Sequence, residues 1–215
     1  EMTSSLVGSE MCIRDSRMID AVAQANPNTV VVLLGGSPME LPWADKVKAI
    51  LYMGLSGQAG GQAAANLLTG RVNPSGKLTA SFPRNVGQVP IHYDELPTGR
   101  PLAEGSGFAK FTSSYLDVPN TPLYPFGYGL SYTDFEYSDM TLSADRMTMD
   151  GSIEVSVTVR NTGDYDGDET VQLYIRDLVG SISRPLKQLK GFRRIHLRKG
   201  ESQKVTFTIT PVSYT

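Results

Sequence analysis

The segment between Gly54 and Gly61 contains the residue types that bind phosphate in many enzymes. It reads Gly54-Leu-Ser-Gly-Gln-Ala-Gly-Gly61 and follows an apolar run, as the glycine-rich loop of a dinucleotide site does. Its spacing, however, is G-x-x-G-x-x-G rather than G-x-G-x-x-G. Asn73 also stands about 20 residues on, where an acidic residue would hold the ribose. We therefore predict that these glycines form a tight turn and a close helix contact.

Acidic residues alternate over residues 164–169, in the order Asp-Tyr-Asp-Gly-Asp-Glu. A calcium loop of the EF-hand type needs glycine after its third acidic position and a bidentate glutamate at the end of the loop. Here Gly167 precedes the third Asp, so a solvated hairpin turn is favoured over a metal site. His92 and His196 are far apart and Cys12 is the single cysteine, which disfavours a zinc cluster. We expect no metal and no cofactor.

Two further features could mark a ligand surface. The basic run of residues 193–199 alternates with apolar residues, which is typical of the wet face of a strand. Trp43 could stack on a sugar ring, but it follows Pro42 and precedes an apolar strand, so packing is favoured. The net charge of −2 argues against a nucleic-acid partner. Local motifs thus assign no catalytic, cofactor-binding or metal-binding residue, and substrate-binding residues stay unknown.

The first half of the chain alternates helical and extended patterns. Ser16 is a suitable N-cap for a helix that ends at Asn26-Pro27. Residues 29–34 and 49–53 are apolar runs typical of parallel strands buried on both faces. Residues 57–68 predict a helix of small residues. Strand, crossover, strand and helix indicate part of a parallel α/β domain.

A long irregular region follows these elements. Residues 77–82 predict a further strand, and residues 83–120 predict a loop of the kind that is functional or covers a neighbouring domain. Residues 122–134 contain two prolines and two glycines that exclude a regular helix. They also contain four large aromatic side chains, which gain most from burial. We interpret residues 122–134, called the seam below, as a packed connection between two domains.

After the seam the hydrophobic period changes to two. Residues 153–159 alternate between branched apolar and polar side chains, and the alternation returns at 171–175 and 205–209. Such short strands indicate an antiparallel β-sandwich. About five or six strands are predicted, where a complete immunoglobulin-like sandwich has about seven. The predicted fold class is therefore a partial α/β sandwich domain followed by an incomplete antiparallel β-sandwich.

The two ends of the chain lack these patterns. Residues 1–16 show neither a helical nor an alternating period, and we interpret them as a non-native leader. Residues 211–215 suggest a non-native tail in the same way. The longest apolar run, residues 30–34, is far shorter than the roughly 20 residues of a membrane span.

Several motifs, in one order, resemble glycoside hydrolase family 3. In the first half and the seam they are Asn73-Pro-Ser-Gly-Lys-Leu78, Ser81-Phe-Pro83 and Leu123-Tyr-Pro-Phe-Gly-Tyr-Gly-Leu-Ser-Tyr-Thr133. Two others resemble the fibronectin type III-like domain of that family: Thr170-Val-Gln-Leu-Tyr174 and Ser183-Arg-Pro-Leu-Lys-Gln-Leu-Lys-Gly-Phe192. Residues 87–91, 96–101 and 111–117 are similar to those of bacterial periplasmic β-glucosidases within the family.

The resemblance implies a retaining, exo-acting β-glycosidase. Two carboxylates about 5 to 5.5 Å apart then attack the anomeric carbon and protonate the leaving oxygen. In this family a barrel carries the Asp nucleophile, and the α/β sandwich often supplies the Glu acid/base. No stretch of this sequence matches the barrel. Glu10 lies near the acid/base position without its usual surroundings, so the role is not transferred to it. The loop 97–117 is expected to reach toward the barrel.

The predicted organisation is the C-terminal half of the family's α/β sandwich domain at 17–121, the seam, and a truncated fibronectin type III-like domain at 135–210. The full-length parent is expected to hydrolyse terminal β-D-glucosyl residues of oligosaccharides or glycosides, in the periplasm or otherwise exported. The 215-residue chain is expected to be inactive by itself.

The expected partner of the parent is the β-glucoside substrate, with no nucleic acid and no membrane span. A homo-oligomer is left open. Two alternatives remain: another family 3 exo-glycosidase such as a β-xylosidase, and a non-catalytic carbohydrate-binding or interaction module.

Overall fold

The computed structural model describes residues 4–103 and 109–214, with side chains from Arg14 to Pro211 within those ranges. The helices and strands of the described residues are α1 (Ser4–Ala25), β1 (Val30–Leu34), β2 (Ala49–Gly54), α2 (Gly60–Leu68), β3 (Phe135–Leu142), β4 (Ile153–Asn161), β5 (Gly167–Ile175), β6 (Gln188–Leu197) and β7 (Ser202–Ile209). Short 3-10 turns occupy Ala44–Lys46, Val86–Gln88 and Pro211–Tyr214. Neither described helix is long and apolar enough to cross a membrane.

The α/β part is built on the parallel pair β1 and β2, with Val31 opposite Ile50. Three residues form its buried core: Leu41, Trp43 and Phe82. Partly buried side chains from α1, both strands and the seam pack against them, among them Ile19, Val31, Leu33, Ile50, Tyr52, Leu78, Leu123 and Tyr124. Trp43 is only 3% exposed, which confirms the prediction that it packs in the core.

The predicted start of the first helix is wrong. Helix α1 begins at Ser4 and continues through Ser16 to Ala25. Residues 4–16 contain no proline and only one glycine, Gly8, so little in this segment disfavours a helix. The predicted end is confirmed, since the helix stops immediately before Asn26-Pro27. A 2.8 Å ion pair from Lys46 to Asp20 joins this helix to the crossover between β1 and β2.

Two predictions about strands in this part are also wrong. Residues 77–82 form no continuous strand: their antiparallel pairing with the seam is limited to the isolated bridge between Phe82 and Tyr124, and the next seam residue, Pro125, has no amide to extend it. Strand β1 is covered on one face rather than two within the described structure. Its alternate side chains Val30, Val32 and Leu34 are 46%, 40% and 64% exposed.

The seam packs against both parts of the chain, as predicted. The Tyr124 and Tyr128 rings stack with centroids 5.2 Å apart, and Phe126 stacks on Tyr93 at 4.1 Å. Tyr124 also packs against the α/β core. Gly127 adopts φ +80°, a left-handed conformation that favours glycine. The seam is therefore a folded connection with fixed side chains.

The second part is a two-sheet antiparallel sandwich. Strands β3, β4 and β7 form one sheet in the order β3-β4-β7, and β5 pairs with β6 in the other. Alternate side chains from both sheets meet in a buried core, and each of them is at most 6% exposed. They are Val159, Val171, Ile195, Leu197 and Val205. The predicted period of two is confirmed. The described part of the sandwich has five strands, and the fold class of α/β followed by antiparallel β is confirmed.

A buried asparagine closes the corner after β4. Asn161 is 0% exposed, and its side-chain oxygen accepts a 2.7 Å hydrogen bond from the Thr133 hydroxyl. Its amide nitrogen donates to the carbonyls of Tyr165 and Leu197 at 2.8 and 3.1 Å. Because every polar atom of this side chain is hydrogen-bonded, its burial is compatible with stability.

Candidate functional site

A cleft of about 330 Å³ lies where the seam meets strand β5 of the sandwich. Its walls come from the α/β part, the seam and the sandwich: Lys77, Phe126, Tyr128, Tyr137, Glu169, Gln172, Tyr174 and Lys187. This interdomain cleft combines aromatic rings with charged groups, as ligand sites at domain interfaces do. It is the candidate functional site of the described chain.

An ion pair lies at the bottom of the interdomain cleft. The Lys77 ammonium is 3.2 Å from one oxygen of Glu169, and the two side chains are only 17% and 10% exposed. Lys77 also donates to the Gly129 carbonyl at 2.9 Å. The other Glu169 oxygen accepts a 2.8 Å hydrogen bond from the Tyr137 hydroxyl. The pair therefore joins the α/β part, the seam and two strands of the sandwich.

The Tyr137 phenol has a strongly raised pKa. Partial burial is the main cause, and the hydrogen bond to Glu169 and its negative charge add to it. Both effects favour the neutral phenol over the phenolate. Tyr137 therefore keeps its proton at physiological pH and remains a donor to Glu169.

A second group of hydrogen bonds fixes the seam on strand β5. Gln172 donates to the Gly127 carbonyl at 3.0 Å and accepts from the Tyr174 hydroxyl at 2.6 Å. A Cβ atom at Gly127 would collide with the side chains of both Gln172 and Tyr174. Lys187 lies over the Tyr174 ring, with its nitrogen 5.6 Å from the centroid. Glycine is therefore favoured here by its φ angle, and a larger residue would also displace the ends of these two side chains.

Asn73 makes a third connection between the parts. Its side-chain oxygen accepts from the Ser131 hydroxyl and the Tyr132 amide, both at 2.8 Å. Its amide nitrogen donates to the Asp166 carbonyl of the sandwich at 3.1 Å. One side chain therefore holds the α/β part, the seam and the sandwich together.

The acidic groups next to the cleft do not form a glycosidase pair. Glu169 and Asp168 are neighbours on one strand, so their side chains point to opposite faces of the sheet. Asp168 is bound by Arg194 at 2.5 Å and by His196 Nδ1 at 2.7 Å. Retaining hydrolysis requires two carboxylates about 5 to 5.5 Å apart with the sugar between them. Glu169, held by Lys77 and Tyr137, is arranged for domain contact rather than for that chemistry.

The remaining acids of residues 164–169 both bind Lys199, one through its ammonium group and one through its backbone amide. Asp164 pairs with the Lys199 ammonium at 2.7 Å, and Asp166 accepts from the Lys199 amide at 2.8 Å. No group of three or more His, Cys, Asp and Glu side chains among the described residues could hold a metal ion. His92 is exposed in the loop after the Val86–Gln88 turn, whereas His196 pairs with Asp168.

The other candidate segments have simple structural roles. Gly54 and Gly57 have φ +57° and +63°, and Gly60 begins α2 against the Ser56 side chain, which supports the interpretation as a turn. In the basic run, Arg193 and Arg194 are exposed while Ile195 is buried, as predicted for a wet strand face.

Two candidate segments fall partly outside the described structure. Glu10 lies in α1, but its side chain lies outside the described part. Of the loop 97–117, residues 104–108 lie outside the described residues, and the rest is joined by a bridge between Pro101 and Ser113.

Sequence reasoning from local chemistry missed Lys77, Glu169 and Tyr137. Each is separated from its partners by long stretches of chain, and none belongs to a spaced catalytic motif. The available signal was indirect: Lys77 lies within the family-like motif of residues 73–78, and Glu169 directly precedes that of residues 170–174. These motifs meet the seam in three dimensions, and that meeting forms the cleft.

The described chain is an α/β part docked through an aromatic seam onto an antiparallel sandwich. Residues 9–132 match the glycosyl hydrolase family 3 C-terminal domain, and residues 169–214 match the fibronectin type III-like domain. The chain therefore belongs to glycoside hydrolase family 3, as the motifs predicted.

Relatives cover most of this chain but extend well beyond it. The periplasmic beta-glucosidase of Salmonella typhimurium is 48% identical over 89% of this chain and 25% of its own length. A beta-xylosidase of Formosa agariphila is 44% identical over 89% of this chain and 26% of its own length. The crystal structure of a beta-glucosidase from Listeria innocua in complex with glucose has a TM-score of 0.88 and 39% identity, covering 93% of this chain and 28% of that chain. The chain thus spans about a quarter of the length of these relatives.

Proposed function

We propose that this chain acts as the C-terminal part of a retaining, exo-acting β-glucosidase that removes terminal β-D-glucosyl residues from oligosaccharides or glycosides. One observation supports this most: 93% of the chain superposes on a glucose-bound beta-glucosidase with a TM-score of 0.88. The 48% identity to a periplasmic beta-glucosidase supports the same substrate class. It also supports a periplasmic location for the whole protein.

In this proposal the described residues support the structure of the enzyme and do not carry out its chemistry. The carboxylates whose bonds are described near the cleft are held by lysine, arginine, histidine or tyrosine partners. A nucleophile and an acid/base must come from outside these groups. We therefore propose that the 215-residue chain has no hydrolase activity alone and serves the enzyme as a folded body. The domain limits 17–121, 122–134 and 135–210, and self-association, remain predictions within the same proposal.

A β-xylosidase is the second candidate, because a relative of that name is 44% identical over 193 residues. A glucoside and a xyloside differ by the hydroxymethyl group of the sugar. A pocket that only packs against its carbon distinguishes them by about 1–3 kcal/mol, and a pocket that also hydrogen-bonds its hydroxyl distinguishes them by more. No such pocket has been assigned in this chain. The two candidates therefore differ only in the substrate that the complete enzyme prefers.

The test compares two proteins and two substrates. The purified 215-residue chain and the full reading frame that contains it are assayed with p-nitrophenyl β-D-glucoside and p-nitrophenyl β-D-xyloside. We expect no turnover by the chain alone and a kcat/KM of the full protein at least about tenfold higher for the glucoside, a difference of about 1.4 kcal/mol. Turnover by the chain alone would refute the supporting role. Preference for the xyloside would establish the second candidate.

A further inference from the structure

We propose that the ion pair between Lys77 and Glu169 is a latch that makes the α/β part and the sandwich unfold as one cooperative unit. The proposal rests on the geometry of the interdomain cleft and does not depend on the proposed activity. The two charged side chains come from parts of the chain that have separate hydrophobic cores. The pair is nearly buried, with exposures of 17% and 10%.

The ion pair lies between the two parts of the chain. Lys77 belongs to the α/β part, and Glu169 lies on β5 of the sandwich. Between them lies the seam, to which Lys77 also donates through Gly129. Tyr137 of β3 binds the same carboxylate. The charges therefore connect both sandwich sheets with the α/β part at a single point.

The segments near the ion pair fit closely together. A Cβ atom at Gly129 would collide with the Gly76 carbonyl and lie 3.1 Å from Lys77 Cδ. A Cβ atom at Gly167 would lie 2.8 Å from the Asn73 amide nitrogen. The three segments thus meet without room for another carbon atom. A pair fixed at such a point aligns the two parts in a single orientation.

Charges at this contact are costly to leave unpaired. Removing one partner of a nearly buried ion pair leaves the other charge without compensation, which costs far more than the net value of the pair. Separating the two parts breaks the ion pair and the Gln172 to Gly127 hydrogen bond at the same time; water then reaches both charges, so the cost is the net value of these contacts taken together. The α/β part and the sandwich therefore lose stability together when the interface opens.

The chain contains a natural reporter for this coupling. Trp43 is its single tryptophan and lies in the α/β core, so tryptophan fluorescence follows that part alone. The backbone amide signals of strands β4 and β7 in NMR spectra follow the sandwich alone. Thermal unfolding of the 215-residue chain is recorded with both probes, and the midpoints are compared.

We expect coincident midpoints for the unmodified chain. In Glu169→Ala, which changes only the sandwich, the Trp43 midpoint should fall by about 10 °C and separate from the midpoint of the strand amides. The matched control is Glu154→Ala on β4, which removes an exposed glutamate of the same domain and should leave both midpoints coincident. Coincident midpoints in Glu169→Ala, or separate midpoints in the unmodified chain, would overturn the latch.

Two further variants keep the test decisive. Glu169→Gln retains the shape of the side chain and removes its charge, and is measured in the same way if Glu169→Ala does not fold. The triple variant Lys77→Met, Glu169→Leu and Tyr137→Phe removes both charges and the hydroxyl that binds Glu169. It should restore coincident midpoints, since a well-packed apolar group often replaces a buried ion pair without loss. If the triple variant does not recover, packing around Glu169 rather than the ion pair carries the coupling, and the proposal is wrong.

Discussion

The two parts of this chain bury their apolar residues in different ways. The sandwich closes its core between two sheets, and the five side chains of that core are at most 6% exposed. The α/β part gathers three buried residues from loop segments beside a two-stranded sheet. Its strand β1 leaves Val32 40% and Leu34 64% exposed.

This difference follows from the local patterns of the chain. In the sandwich, alternate residues of each antiparallel strand point to the same face of its sheet, so period-two patterning is sufficient to fill the core between the two sheets. In the α/β part, Leu41, Trp43 and Phe82 come from irregular segments, and their burial depends on the seam packing over them. The core of the α/β part is therefore coupled to the interdomain contact, whereas the sandwich core is internal to one domain.

The largest effect is expected for Trp43→Ala. Truncating a buried aromatic side chain leaves a cavity, and such changes cost about 3–5 kcal/mol of unfolding free energy. Urea unfolding followed by far-UV circular dichroism measures the loss. The matched control is Phe192→Ala, because Phe192 is an aromatic residue of the sandwich that is 71% exposed. A loss below about 1 kcal/mol for Trp43→Ala would show that the α/β core contributes little to folding.

An intermediate effect is expected for Asn161→Ala. The substitution leaves the buried carbonyl of Leu197 and the hydroxyl of Thr133 without a partner, which costs about 1–3 kcal/mol. The same urea measurement applies. Asn120→Ala is the control, because Asn120 is exposed and water can replace its bonds to Tyr115 and Ser113. Equal losses for the two variants would contradict the assignment of Asn161 as a buried hydrogen-bond centre.

The smallest effect is expected for Asp168, a half-buried acid held by exposed partners. Partial burial acts to raise its pKa, but hydrogen bonds and charge from His196 and Arg194 outweigh this and lower the pKa below its ordinary value. A carboxylate with a lowered pKa stabilises the fold above its unfolded pKa, and that contribution is lost as the pH falls through the folded pKa. The two groups that hold it are themselves largely exposed, at 63% and 61%.

Asp168→Asn should therefore lower the melting temperature at pH 7 by a small amount, of the size of a surface pair at about 0–1 kcal/mol. The difference from the unmodified chain should shrink as the pH falls below about 4 and as salt is added. Melting curves between pH 2.5 and pH 7 measure it, with Asp145→Asn as an exposed control. A difference that grows toward acid pH would contradict the sign of the shift.

Predictions from the sequence succeeded where local rules suffice. The strands of the sandwich, the end of α1 before Asn26-Pro27, β2 and the packing role of Trp43 were all predicted. Errors occurred where distant residues decide the outcome. Residues 77–82 resemble a strand in their pattern, but their amides bind the seam. Strand β1 has an apolar sequence on both faces, yet only one face is covered in the described structure.

The amino-acid sequence by itself determined the order of the elements, the two-part organisation and the family, because hydrophobic period, turn residues and linear motifs are local properties. Only the tertiary structure decided which charges meet. Lys77, Tyr137 and Glu169 come from three separate segments, and nothing in the chain near any one of them specifies its partners. Their meeting depends on the seam bringing the motifs of residues 73–78 and 170–174 to one cleft, where a single ion pair joins the two parts.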